Sequence, residues 1–329
     1  LYAEFFHLAR LPFQLTPDSR FFFESSVHAK AMAYLTYGLH QGEGFILITG
    51  DVGAGKTTLA EHLCSSLGSH RFTIARMVST QTSADDTLRM AAAGFGISTE
   101  GCGKAELLQR FESTLMTIFK SGRRALLIVD EAQNLTVPAI EELRMLSNFV
   151  VNHESTLQCF LLGQPQFRAT MALPQLEQLR QRVLASYHLG PLGANETRAY
   201  IEHRLKLVGW KDDPNFTNAA FDRIFHESSG IPRKINSLCS RLMLYAFLEE
   251  IHELDGHAVA LVAEELNAEM GVSDAADAIR SGATARSTHG ELEQFERRLT
   301  RIEERIDRSD QAIRRTLAVV TERIGGGEP

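Results

Sequence analysis

The sequence predicts an α/β chain: a mostly parallel sheet covered by helices, then an all-helical second domain, then a trailing coiled-coil-like helix. Three observations carry this reading. Short, β-branched apolar runs alternate with helical patterns between Phe45 and Leu189. From Asn195 to about Met270 only helical patterns remain. Near the end, apolar residues recur with a heptad rhythm. Strands separated by helices need crossover connections, and crossovers give parallel strands buried on both faces.

The elements follow in order. FILIT (45–49) is a short apolar run and reads as a buried strand, followed by a glycine-rich turn and a helix over 56–67. FTIARMV (72–78) is a second strand, with helices over 84–95 and 104–120. ALLIVD (125–130) is a third, and PAIEELRMLSNFV (138–150) a helix with Pro138 in its first turn, where a missing N–H is tolerated. LQCFLLG (157–163) and VLASYHL (183–189) complete five strands. Helices are then expected over 195–208, 217–228, 232–250 and 257–268, the first with Asn195 as N-cap and Arg198 where a capping box would place Glu. The stretch 271–290 is small, polar and free of aromatics, and reads as a linker. In the helix of 291–324, Leu292, Phe295, Leu299, Ile302, Ile306, Ser309, Ile313, Thr316 and Val320 alternate in steps of three and four, the a/d rhythm of a coiled coil. The organisation is therefore an α/β domain over 1–192, a helical domain over 193–270, a linker over 271–290, the charged helix, and a tail over 325–329.

Composition bounds the function. The 329 residues carry a net charge of −7, with 44% hydrophobic and 23% charged residues, which excludes a long disordered protein. The acidic balance argues against non-specific nucleic-acid binding over the whole surface, so no nucleic-acid partner is expected. No run of about 18 apolar residues exists, so no direct membrane span is expected. The first residues lack the basic and apolar regions of a signal peptide. Cys64, Cys102, Cys159 and Cys239 are scattered, neither a disulfide framework nor a metal pair, and fit a reducing compartment. Six of the 19 phenylalanines fall at Phe5, Phe6, Phe13, Phe21, Phe22 and Phe23, so the start of the chain must pack against something.

The chemistry starts at GDVGAGKT (50–57), which matches G-x-x-x-x-G-K-[ST] between a strand and a helix. A helix N-terminus with free backbone amides is a phosphate site. Gly50, Asp51, Val52, Gly53, Ala54, Gly55, Lys56, Thr57 and Thr58 would form the cradle, with Lys56 on the β- and γ-phosphates and the Thr57 hydroxyl on Mg²⁺. LLIVDE (126–131) ends a strand read as adjacent to the phosphate-loop strand, so that Asp130 would give the second Mg²⁺ contact and Glu131 would polarise the attacking water. The cofactors expected are ATP and Mg²⁺.

A P-loop, a DE pair and a helical lid carrying GIPR (230–233) together resemble an AAA+ ATPase. That resemblance implies that Arg233 reaches the γ-phosphate from the lid, and that Gln164, in LLGQPQF, is the polar residue that senses it. It further implies that Arg180 or Arg182, in LEQLRQRV, is an arginine finger aimed at a neighbouring subunit, hence a homo-oligomer with a shared ATP site. FFHLARLPFQLTPDSRFFF, the H-x-x-A of His28–Ala31, DEAQNL and GIPRKIN resemble general-secretion-pathway A-type ATPases, and YGLHQGEGF and ELRMLSNF resemble the branch at exosortase (PEP-CTERM) and exopolysaccharide loci. The resemblance implies partners among envelope secretion or polysaccharide export proteins. It also implies a cytoplasmic location, peripheral at the inner membrane through those partners. The aromatic segment would wrap the sheet and close an adenine site with Phe13 and Pro17. Two other readings stand beside the ATPase motor: a slow nucleotide-dependent switch or scaffold, and a DNA-associated AAA+ accessory protein.

Overall fold

The computed structural model describes residues 2–16, 18–67, 71–79 and 83–280, with side chains described as far as 269. Contacts divide the chain into a unit of Leu1–Asn267 and a second of Ala268–Pro329. The heptad helix of 291–324, its tail and Pro17 lie outside the described residues.

Five strands form one parallel sheet: β1 (Phe45–Gly50), β2 (Phe72–Val78), β3 (Arg124–Asp130), β4 (Leu157–Gly163) and β5 (Val183–Leu189), in the spatial order β2-β3-β4-β1-β5. The register sets Phe45 beside Cys159 and Thr49 beside Gly163. It also sets Leu127 beside Cys159 from the other side of β4. The strand carrying Asp130 is therefore not next to the phosphate-loop strand, as the sequence reading had it; β4 lies between them. Local pattern identifies strands but not their neighbours, because each crossover can skip a position.

Side-chain alternation splits the sheet residues between two cores. Phe45, Leu47, Leu127, Val129 and Leu161 face one side, with α3 (Ala84–Gly94), α4 (Lys104–Lys120) and α5 (Val137–Leu146) over them through Leu88, Phe111 and Leu143. Ile46, Ile48, Leu126, Ile128 and Phe160 face the other, covered by α1 (Ser26–Gln41) and α2 (Lys56–Ser66) through Leu35, Leu59 and Leu63. Helix α1 is absent from the sequence reading. Its buried stripe is only Ala31, Leu35, Gly38 and Leu39 beside His28, too narrow and interrupted to stand out from the tyrosines around it. It is capped by Ser25, whose hydroxyl accepts from the His28 N–H, and ends at Gly42 in the left-handed region.

The helical layer comprises α6 (Ala194–Lys206), α7 (Asn218–Ser228), α8 (Pro232–Leu248) and α9 (Gly256–Arg280). Asn195 is not the N-cap of α6: Gly193 is, and the Glu196 carboxylate accepts from its N–H at 3.4 Å. The capping carboxylate thus sits one residue after the expected cap, and Arg198 instead pairs with Glu202 one turn along. Helix α9 runs through residues 271–280, assigned to a linker from their polarity. The stretch SDAADAIR holds no Gly or Pro, and its alanines favour helix.

The aromatic start of the chain does not wrap the sheet. Tyr2, Phe6, Leu8, Phe13 and Phe21 are buried in one cluster with Tyr200, Ile201, Ile235, Leu238 and Leu242 of the helical layer. Among the described residues of this segment, Phe22 packs on the α1–α2 side of the sheet.

Candidate functional site

The carboxyl ends of β1, β3 and β4 lie along one edge of the sheet, where parallel α/β sheets place ligands. β1 delivers Gly50 into the phosphate loop, β3 delivers Asp130 and Glu131, and β4 delivers Gln164 just past its end.

The loop folds as its glycines require. Gly53 and Gly55 have φ of +82° and +97°, a region that L side chains disfavour. Both are also closely approached. A Cβ on Gly53 would lie 2.2 Å from Arg233 Cβ, and one on Gly55 would lie 2.8 Å from His28 Nε2. Ala54 is buried beneath the loop, whereas Asp51 and Val52 are exposed.

Lys56 is buried, and its ammonium donates to the Gly50 and Asp51 carbonyls at 2.8 and 3.0 Å. Burial lowers its pKa, while the carboxylates of Glu131, Asp130 and Asp51 act to raise it. The two carbonyls hold the ammonium inside the loop, where a phosphate bound to the loop amides would meet it. Thr57 Oγ1 donates to Asp130 Oδ2 at 2.6 Å, and the other oxygen of Asp130 accepts from the Glu131 N–H at 2.8 Å. A hydroxyl and a carboxylate already in contact form a hard oxygen donor pair of the kind Mg²⁺ takes, with phosphate and water completing its shell. The residues fit the ion.

Glu131 sits in the left-handed region with φ of 53°, unusual for a non-glycine residue. Its Oε2 accepts from the side-chain amides of Gln133 and, at 3.2 Å, Gln164. The Gln133 carbonyl oxygen accepts from the Gln164 backbone N–H at 2.9 Å. Gln133 was not among the sequence candidates; its signal was the DEAQNL wording. Its amide ties the end of β4 to Glu131.

One cleft collects Val52, Gly53, Gly55, Lys56, Thr57, Thr58 and Glu131 from the sheet side. Arg233, at the start of α8, lines it from the lid, and its backbone N–H donates to the Gly53 carbonyl at 3.2 Å. Its far walls are Gln14–Thr16, Phe21–Phe23, Leu192, Tyr200, Arg204 and Asn236, none of them site candidates from sequence. Phe13 is core and does not line this cleft. His28 lies under the loop, with Nδ1 2.7 Å from Ser25 Oγ. Burial holds its pKa low against an opposing hydrogen bond with the Ala54 backbone.

Arg180 and Arg182 are away from this cleft. Arg180 donates to the Met171 and Leu173 carbonyls at 2.9 and 2.7 Å, ending the short helix Phe167–Met171, and Arg182 donates to Ser147 Oγ at 3.0 Å. Neither meets a carboxylate among these contacts.

Residues 39–171 match the family model described as AAA domain. Over 268 residues, 81% of this chain and 49% of the relative, the sequence is 34% identical to General secretion pathway protein A of Aeromonas hydrophila. The chain thus spans about half the length of that curated relative. Among solved structures, the ADP form of the Aeropyrum pernix ORC2 protein superposes with a TM-score of 0.56 at 17% identity, covering 77% of this chain and 73% of that one. The Thermotoga maritima RuvB Holliday junction branch migration motor gives 0.51 at 18% identity, covering 78% and 74%. No helix among the described residues is long and apolar enough to cross a membrane. The chain has the P-loop AAA+ fold, and its AAA domain is related to general secretion pathway protein A.

Proposed function

We propose that the chain hydrolyses ATP in a Mg²⁺-dependent reaction at the cleft between sheet and lid. The observation that carries this is the Thr57–Asp130 contact of 2.6 Å, made across 73 residues of sequence beside the buried Lys56 ammonium. Lys56 would hold the β- and γ-phosphates against the loop amides of residues 53–58. Mg²⁺, held by Thr57 and Asp130, would supply charge neutralisation of the phosphates. Glu131 would accept a hydrogen bond from the attacking water and so fix its line of approach. Gln164 and Arg233 would contact the terminal phosphate from the β4 end and the lid. Arg182, or Arg180, would complete the site of a neighbouring copy in a homo-oligomer.

The work driven by turnover is proposed to be on an envelope secretion assembly. The relation to general secretion pathway protein A supports it. The YGLHQGEGF and ELRMLSNF wording supports, within this proposal, the exosortase and exopolysaccharide branch. The slow-switch reading has one observation in its favour. Glu131 Oε2 is engaged by the Gln133 and Gln164 amides, so only Oε1 is left to orient water.

The test is a pair of variants. Lys56→Ala should abolish tight ATP binding by calorimetry, whereas Glu131→Gln should bind ATP normally and lose turnover. Wild-type hydrolysis by Glu131→Gln would remove Glu131 from the chemistry, and normal ATP affinity in Lys56→Ala would remove the site altogether.

A further inference from the structure

A relay of three buried side chains ends in the cleft. Arg204 is 6% exposed and lies on α6. Its partners among the described residues are the Pro12 carbonyl at 2.7 Å, the Tyr200 hydroxyl at 2.8 Å, and the rings of Phe21 and Tyr200, 4.6 and 5.5 Å from the guanidinium carbon. None is a carboxylate. Tyr200 Oη in turn lies 2.9 Å from Asn236 Oδ1, on α8 one turn beyond Arg233.

The direction of these bonds is forced by chemistry. A guanidinium has donors only, so the Tyr200 hydroxyl accepts from Arg204. Its proton goes to Asn236 Oδ1, the only acceptor bonded to it among the described residues, so the Asn236 atom facing it is the carbonyl oxygen. The orientation of the Asn236 amide is therefore fixed by an arginine two residues removed from it in the relay, not by a choice between two similar atoms. Its oxygen takes the Tyr200 proton, and its NH₂ donates to nothing among the described residues, which leaves that donor for the cleft that Asn236 lines.

The surroundings say what that donor meets. The cleft that Asn236 lines is also lined by Phe21, Phe22, Phe23, Leu192 and Tyr200, with Asp18 and Arg204 among its polar residues. Lys56 and Thr57 line the same cleft from the sheet side. A flat heteroaromatic ring with an in-plane acceptor nitrogen suits aromatic walls. Ribose hydroxyls do not need such walls.

We propose that Asn236 is a specificity-determining residue: its NH₂, oriented by Arg204 and Tyr200, donates to a ring nitrogen of a purine base. This rests on the nucleotide reading of the site. It predicts discrimination by the base and not by the phosphates. Asn236→Asp keeps an oxygen for Tyr200 to donate to and turns the group available to the cleft from donor to acceptor.

The experiment measures Kd by calorimetry on the full chain at pH 8 for ATP, inorganic tripolyphosphate, and 1-deaza-, 3-deaza- and 7-deaza-ATP. Asn236→Asp should weaken ATP about tenfold while leaving tripolyphosphate unchanged. One of the three deaza analogues, the one lacking the contacted nitrogen, should bind wild type and variant alike. Equal weakening of ATP and tripolyphosphate would overturn the proposal by making Asn236 structural. So would the same ATP-like loss for all three analogues, or no loss with ATP. Tyr200→Phe, which removes the relay but keeps the ring, should give a smaller ATP-selective loss; an unchanged ATP affinity there would refute the orienting role. Failure of the nucleotide reading itself shows separately, as Lys56→Ala binding ATP and tripolyphosphate as well as wild type.

Discussion

Gly53→Ala tests the seating of the lid on the phosphate loop. Two costs add in this variant. The first is conformational: alanine at φ of +82° is in the left-handed region, which disfavours L residues by about 1–2 kcal/mol. The second is steric. The new methyl would lie 2.2 Å from Arg233 Cβ and 3.1 Å from its Cδ, and the Arg233 N–H is bonded to the Gly53 carbonyl, so the lid helix cannot retreat without breaking that bond. Overpacking of this kind costs about 1–3 kcal/mol. The single variant should therefore lose about 2–5 kcal/mol. Arg233→Gly removes the opposing Cβ and leaves only the conformational cost, so the second term should vanish in the double variant. The assay is equilibrium urea unfolding of wild type, both single variants and the double, without nucleotide. The helix cost of glycine at residue 233 enters both arms of the cycle and cancels. A coupling of about 1–3 kcal/mol is expected. Additive effects, to within about 0.5 kcal/mol, would refute the contact between loop and lid.

Thr57→Val removes the hydroxyl bonded to Asp130; its ATP affinity in a chelator should equal that of wild type, and the gain on adding Mg²⁺ should disappear, read by calorimetry. Arg182→Ala should bind ATP and lose turnover by a factor on the order of 10³, with turnover restored by mixing in Glu131→Gln chains, since finger and water-orienting carboxylate then come from different copies; no recovery at any ratio of assembled chains would refute the shared site. Stability should fall with acid already near neutral pH. Burial depresses the His28 pKa below 6.5, so the unfolded chain takes up a proton first, and the stabilisation present above pH 6.5 is lost as pH drops towards the folded value. His203 is depressed in the same direction, chiefly by burial. In urea unfolding between pH 8 and 5.5, His28→Asn should show a shallower fall than wild type; an unchanged slope would refute the assignment.

Much of the architecture was legible because it is local. FILIT and ALLIVD read as buried strands, and the glycine-rich stretch after Ile48 reads as a turn, which the structure makes left-handed at Gly53 and Gly55. The contact of Thr57 with Asp130 follows from motif context, although β4 intervenes between their strands. What was hidden depends on distant partners. Helix α1 is defined by what it covers: a Cβ on Gly38 would lie 1.6 Å from Ile46 Cδ1, and the Gly38 carbonyl accepts from Gln158 at 2.6 Å. Glu196 escaped notice as a cap because one of its oxygens accepts from the Ser26 N–H at 2.7 Å, 170 residues away in sequence. Asn236 stood inside GIPRKIN, yet its polarity is set by Arg204 from a different helix, which no local pattern encodes.

The aromatic segment shows how magnitude corrects a plausible placement. Six phenylalanines near the chain start required burial, and a sheet was the obvious surface to receive them. Yet Tyr2, Phe6, Leu8, Phe13 and Phe21, each at most 8% exposed, share their cluster with the lid helices. At about 1.5–3 kcal/mol for each large side chain, that burial outweighs what the half-buried Phe22 gains on the sheet side. Arg204 adds a bond from the lid to the Pro12 carbonyl. Energetically the segment belongs to the lid, and the stretch from Gln14 to Phe23 leads from it to α1, which is packed on β1 and carries His28 under the phosphate loop. The cleft walls therefore come from two bodies of one compact unit: Lys56, Thr57 and Glu131 are fixed to the sheet, while Arg233, Asn236, Tyr200 and Phe21 are fixed to the lid. A ligand that touches both sets, with phosphates on the first and a base against the second, stabilises the lid in this position by its own differential contacts, which is the physical requirement for nucleotide state to control lid position.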